Sequence, residues 1–166
     1  MNITLEKYSK EYEKIVADYV GDFFGYHTKL SGFEKIPAIE QSLENIIQWT
    51  SEKHALYVIL LEKRSVGFIH IWYKGDNVAW IEDLYIEENH RRQGIGSFAI
   101  KEAEKIVSCN PKYTALCIDV VPQNKNAIDL YYELGYDSLS IITIRKELKE
   151  NNRNDTVDFL GKKFKI

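Results

Sequence analysis

Two glycines and two arginines stand together at Arg91-Arg92-Gln93-Gly94-Ile95-Gly96-Ser97. Glycines this close let backbone N–H groups converge on an anion, and the apolar period that follows predicts a helix over 97–107. A helix N-terminus offers unpaired N–H groups and a partial positive charge, which suits a phosphate. The arginines add charge and bidentate contacts. A second group is Glu82-Asp83, set in the apolar run 78–86. Neighbours on a strand point to opposite faces unless a bulge re-aims one. Two adjacent carboxylates in such a strand are costly unless they face a wet cleft or a cation. In a cleft, a carboxylate can take a proton from an amine and draw in a cationic substrate. The third group is Asn124 and Tyr131, on a helix expected over 124–134. A tyrosine, with an ordinary pKa of about 10, is protonated at neutral pH and can protonate a thiolate when well placed. Taken alone, Tyr131 and Tyr132 read equally as core aromatics.

His70, Trp72 and Tyr73 fall on the strand before, and Tyr26 and His27 fall in a segment read as a loop. His70 is expected to be a satisfied core histidine. Trp49, Trp72, Tyr26 and Phe24 would line a cation site or fill the core. Asp119, near the end of its strand, is a further carboxylate available to a cation. Cys117 lies in an apolar run, which raises a thiol pKa and disfavours a nucleophilic relay. No cysteine or histidine spacing suits a metal.

The elements that must position these groups follow in order. Residues 3–5 suggest a short strand. From Ser9, a plausible N-cap, apolar residues at three- and four-residue spacings predict a helix that ends near Gly25. A loop over 25–37 and a helix over 38–51 follow. Strands are expected over 55–61, 66–73 and 78–86, joined by tight turns into an antiparallel meander. Residues 113–121 read as a central strand covered on both faces. Gly135 sits where a helix C-cap glycine belongs, and 136–148 reads as a last long strand. The tail over 149–166 begins polar and ends apolar, suiting an extra edge strand or a dimer contact. The strand–helix–strand unit in the second half requires parallel pairing, so the fold class is α+β, an α/β sandwich.

The 166 residues are 45% hydrophobic and carry a net charge of −3. That balance suits one globular domain and gives no support to nucleic-acid binding. No apolar run reaches the length of a membrane span, and the first residues have no signal-like apolar core, so a cytoplasmic protein with reduced thiols is expected.

The Arg-x-x-Gly-x-Gly of 91–96, after a strand ending Leu-Tyr-Ile, resembles the acyl-CoA-binding motif of the GNAT superfamily of N-acetyltransferases. Gly94 to Ala99 also fits a dinucleotide-binding turn, but seven residues separate strand from glycine and a meander precedes it. The stretch from Asn124 to Tyr136 resembles the second GNAT signature, and the element order matches across nearly the whole chain. The resemblance implies about six or seven strands, about four helices and a splayed V between strands 78–86 and 113–121. It implies acetyl-CoA as co-substrate, held by Leu84, Tyr85, Ile86, Arg91, Arg92, Gln93, Gly94, Ile95, Gly96, Ser97, Asn124 and Tyr131. It implies Tyr131 as the acid toward the leaving thiolate. Glu82, with Asp83 behind it, is the expected base, as in the polyamine acetyltransferases whose acidic pair this one is similar to. Tyr26, His27, Trp72, Glu82 and Asp119 are the expected acceptor contacts. The expected activity is direct acetyl transfer to a primary amine of a small cationic acceptor, in a homodimer. A protein N-terminal or lysine acetyltransferase and a non-catalytic acyl-CoA sensor are the alternatives.

Overall fold

A computed structural model describes residues 1–30, 38–148 and 155–166. Strand β1 (Ile3–Lys7) leads through a short 3-10 turn to helix α1 (Glu13–Leu30) and helix α2 (Ile39–Trp49). Strands β2 (His54–Leu61), β3 (Arg64–Trp72) and β4 (Val78–Ile86) come next, followed by helix α3 (Ile95–Ser108), strand β5 (Ala115–Ile118) and helix α4 (Lys125–Glu133). A hairpin of β6 (Thr156–Phe159) and β7 (Lys162–Lys165) ends the chain.

The main sheet has the order β1-β2-β3-β4-β5. Its first three pairings are antiparallel, and β4 pairs with β5 in parallel. Glu62 and Lys63 both take positive φ and close the β2–β3 hairpin in two residues, the backbone that matches strand twist. One sheet face packs on α1 and α2 through Leu56, Val58, Leu60, Phe68 and Tyr85. The other packs on α3 through Ile59, Val66, Ile69, Ile71, Ala79 and Ile81. Each such buried side chain contributes roughly 1.5–3 kcal/mol, so the sheet is fixed from both sides. Gly67 lies where β3 and β4 come closest: a Cβ there would stand 2.1 Å from the Tyr85 carbonyl oxygen.

Four expectations change. Helix α1 does not stop near Gly25 but runs to Leu30, so Tyr26 and His27 sit on its last turns. Its one late glycine costs only about 1 kcal/mol, which the packing of Val16, Val20 and Phe23 offsets. Residues 31–37 of the expected loop lie outside the described residues. Ser9 precedes the 3-10 turn without capping it, and bonds Glu11 instead. Strand β5 is four residues long and half-exposed rather than covered on both faces. Among the described residues no strand pairs beyond it, because 136–148 forms no strand. A strand exists only against a partner edge, and Leu139, Ile141 and Ile144 stay exposed. The sheet therefore has five strands. The tail adds none, since β6 and β7 pair only with each other, and 149–154 lies outside the described residues.

Candidate functional site

The centre of the site is an irregularity in β4. Asp83 pairs with His70 and Ile81 pairs with Ile71, so Glu82 is an extra residue with no partner on β3. Such a bulge shifts the alternation of faces. Ile81 and Leu84, three residues apart, both face the α3 core, while Tyr85 faces α1. Pairing with β5 stops at Ile81–Ile118. Beyond that point, residues 82–86 keep an outer edge that no described strand covers. The resemblance implied a splayed V here; what the structure shows is that β5 ends at Ile118, opposite the residue before the bulge, and leaves the rest of β4's outer edge open.

Asp83 and Glu82 differ in their surroundings. Asp83 Oδ2 lies 2.7 Å from His70 Nδ1, and the two are 8% and 1% exposed. His70 Nε2 lies 2.9 Å from His54 Nδ1. With His70 Nδ1–H donating to the carboxylate, its Nε2 accepts from His54. The His70 ring stacks on Trp49 at 4.7 Å and on His54 at 5.1 Å. Asp83 is thus committed to a buried chain of bonds, and His70 is the satisfied core histidine its strand suggested. Trp49 is buried core, not cleft wall. Glu82 is half-buried, and its Oε2 has no hydrogen-bond partner in the structure. Burial holds the Glu82 carboxyl above the usual carboxylate range; Asp83 and Asp119 push it further, and Lys74 opposes them. Burial lowers the pKa of His27, which the Asp83 charge partly offsets. Burial also lowers that of His54, and His70 adds to this.

At the C-terminal end of β4 the chain passes a 3-10 turn (Glu88–His90) and enters α3. Arg92 takes φ +61 and Gly94 φ +78, so this turn needs left-handed backbone. Gly94 is the N-cap of α3, with no side chain capping it. The first N–H groups of a 14-residue helix are then free for a ligand. Arg92, Gln93 and Gly94 are exposed around them. Arg91 points elsewhere: its Nε donates to the Ile86 carbonyl at 2.8 Å, and its guanidinium lies over Tyr26 and Tyr85. It braces β4 against α1, so among the described residues the free positive charge at the turn is Arg92. Asp22, Tyr26, Tyr85, Arg91 and Gln123 line a cleft of about 770 Å³ on the α1 side.

Helix α4 brings the third group. Asn124 Oδ1 accepts from Ala127 N–H at 3.4 Å and caps the helix. Leu130 packs at the start of α3, where a Cβ on Gly96 would meet it at 3.6 Å. Tyr131 is half-buried beside Tyr136, and burial raises its phenol pKa. Gly135 has φ +94 and ends the helix. Asp119, just past β5, is exposed but near enough to act on Glu82. Trp72 is half-buried on β3, stacked on His54 at 5.2 Å. Sequence reading missed two features: the His54–His70–Asp83 chain, and Lys74, whose ammonium lies over Trp72 and Trp80. Strand register across two hairpins makes both, and no local spacing signals them. Among the described residues no group of histidine, cysteine and carboxylate could hold a metal, and no helix is long and apolar enough to cross a membrane.

Comparison with known proteins agrees with this layout. Over 73 residues the chain is 37% identical to the thialysine N-epsilon-acetyltransferase of Bos taurus; the match covers 44% of this chain and 42% of that protein. The chain thus aligns with less than half the length of that relative. Among solved structures, an aminoglycoside acetyltransferase from an uncultured soil metagenomic sample superposes with TM-score 0.64 at 19% identity, over 89% of this chain and 97% of that one. An aminoglycoside N-acetyltransferase in complex with CoA gives TM-score 0.70 at 11% identity, over 89% and 96%. At these identities the likeness is one of fold. The description "Acetyltransferase (GNAT) family" matches residues 13–136, and with the bulged β4, the open edge and the glycine turn in place, the chain belongs to the GNAT acetyltransferase family.

Proposed function

We propose that this chain transfers an acetyl group from acetyl-CoA to a primary amine of a small cationic acceptor. The observation that carries the reading is the bulge: it leaves Glu82 unpartnered in the mouth of an open strand edge that leads to an uncapped helix N-terminus. The residues present fit the co-substrate. The N–H groups of Gly94 to Ser97 and the Arg92 charge suit its pyrophosphate. The edge at Leu84 and Ile86, which no described strand covers and where Arg91 Nε holds the Ile86 carbonyl, suits its amide-bearing arm, with the neighbouring Tyr85 fixing the strand. Gln93 and Asn124 flank the phosphate end, and Arg91 secures the strand behind it. When bound, acetyl-CoA supplies an activated acyl group.

The chain's own groups do the rest. Backbone N–H at the bulge stabilises negative charge on the carbonyl oxygen. Glu82, its carboxyl held above the usual carboxylate range by burial, takes a proton from the acceptor's ammonium and so frees the neutral amine that attacks the thioester carbonyl. Asp83 stays with His70 and acts on Glu82 through its charge. Tyr131, kept protonated by burial, gives a proton to the departing thiolate. Tyr26, His27, Trp72 and Asp119 surround the acceptor side. The names of its relatives, thialysine and aminoglycoside acetyltransferases, are consistent with an amine-bearing small molecule.

The test is an acceptor panel with acetyl-CoA, following thiol release. Turnover with cationic diamines and amino acids, above that with neutral amines and peptides, is the expected result. Peptide acetylation alone would move the acceptor class to proteins. CoA binding with no thiol release from any amine would favour a sensor.

A further inference from the structure

Lys74 lies in the connection between β3 and β4, and it is exposed. Its ammonium is nevertheless placed. The Nζ stands 4.5 Å from the Trp72 ring centre and 5.6 Å from that of Trp80. Trp72 and Trp80 are directly paired across the two strands, so both indoles stand beside the one ammonium. Among the described residues Lys74 makes no ion pair within 4.0 Å. What holds it is the ring faces, which attract a cation through their quadrupole. Glu82 is the second residue on from Trp80 and feels the Lys74 charge, and Asp119 acts on Glu82 from β5's end. A primary ammonium and two indoles thus lie on the same strand pair as Glu82, the unpartnered carboxylate of the bulge, on which the charges of Lys74 and Asp119 both act.

We propose that the Trp72–Trp80 surface, with Glu82 and Asp119, is the subsite for a cationic amine of the acceptor, and that Lys74 is its built-in competitor. The chemistry of the acceptor here rests on the acetyltransferase reading; the cation subsite itself does not require turnover. Lys74 is a flexible primary ammonium on a four-carbon stem, so it resembles one end of an aliphatic diamine. An incoming cation must displace it. A single exposed cation–π contact favours the closed lysine by roughly two- to fivefold, and a ligand's apparent affinity falls by the fraction of open state. Removing the lysine should therefore tighten binding by about three- to sixfold.

The experiment titrates putrescine, a linear diamine, into the full chain with and without CoA, read by calorimetry and tryptophan fluorescence. Lys74→Met is expected to bind putrescine about three- to sixfold more tightly than the wild type. Trp80→Leu is expected to bind it more weakly, and adding Lys74→Met to Trp80→Leu should recover little, because the two share one surface. Weaker or equal binding by Lys74→Met overturns the competitor. An equal gain in the Trp80→Leu background shows plain charge repulsion and overturns it too. Absence of diamine binding by both wild type and Lys74→Met overturns the subsite. Thiol release is measured on the same samples. Its absence with diamine binding intact would bring down the acetyltransferase reading and leave the subsite standing. Lys74 is exposed and contributes nothing to the core, so its variant folds, and it decides the competitor without the tryptophan variants.

Discussion

His70→Phe separates the polar role of this histidine from its packing. The phenyl ring fills the slot between Trp49 and His54, where the imidazole now stacks at 4.7 and 5.1 Å. No large cavity opens, so the cavity cost of truncation is absent. What is lost is the 2.7 Å bond to Asp83, and with it the 2.9 Å bond to the part-exposed His54. Taking the hydrogen-bond donor from a buried carboxylate leaves its charge uncompensated, which costs about 3–5 kcal/mol. The Asp83 side chain keeps a tenth of its surface wet, which places the expected cost near the low end, about 3 kcal/mol. For a chain of this size that lowers Tm by roughly 6–12 °C. Urea unfolding followed by circular dichroism measures it, and the fluorescence of Trp49, now stacked on His70, reports the local change. Adding Asp83→Leu removes the orphaned carboxylate, and replacing both partners by apolar groups of similar shape is close to neutral. The double variant should regain about 2 kcal/mol. A His70→Phe loss below about 1 kcal/mol, or a double variant no more stable than the single, would refute the claim that this pair anchors the bulge. The α3 turn is built separately, so CoA affinity should hold while kcat falls.

Glu82→Gln tests the base through pH. If Glu82 removes the proton, wild-type kcat/KM rises with pH through its raised pKa, and the variant loses that acid limb. Stability should move as well. A carboxyl whose folded pKa lies above its ordinary 4.5 weakens the fold as pH rises through that interval. The variant should then gain on wild type above pH 4.5 and show no gain below it; a gain confined to low pH would contradict the burial argument. Tyr131→Phe should lower kcat by about a hundredfold with little change in acetyl-CoA affinity, and unchanged turnover in single-turnover assays would remove the acid role. Gly67→Ala puts a methyl 2.1 Å from the Tyr85 carbonyl oxygen and should cost about 3 kcal/mol in thermal unfolding by parting β3 from β4.

The glycine turn before α3 was legible because backbone chemistry demands particular residues. Left-handed backbone at the turn calls for Gly94, whereas a Cβ at Gly96 would meet Leu130 at 3.6 Å, an ordinary contact. Such demands show as spacing. The α1 boundary was misplaced because Gly25 looked like a stop, while the packing of the helix's apolar face carried it on to Leu30. The strand expected over 136–148 shows the opposite limit: its apolar alternation is real, but alternation states what a strand would bury and not whether an edge is there to receive it. Leu139, Ile141 and Ile144 are left exposed, and among the described residues β5 pairs with β4 alone.

The adjacent carboxylates could be found by eye, but their division of labour could not. Glu82 and Asp83 are equivalent in the sequence; register makes them different. The bulge leaves Glu82 opposite nothing and sets Asp83 opposite His70, and His70 is in turn opposite Leu56, within reach of His54 two residues earlier on β2. Three strands must therefore be in register before either carboxylate acquires its environment. One becomes a buried anion with a fixed donor. The other becomes an orphan whose proton is held by burial and by its neighbour's charge. A single-residue slip in β3 would exchange the faces of His70 and Ile71 and leave Asp83 without its donor. The chemistry assigned to Glu82 thus depends on a histidine that never needs to touch substrate.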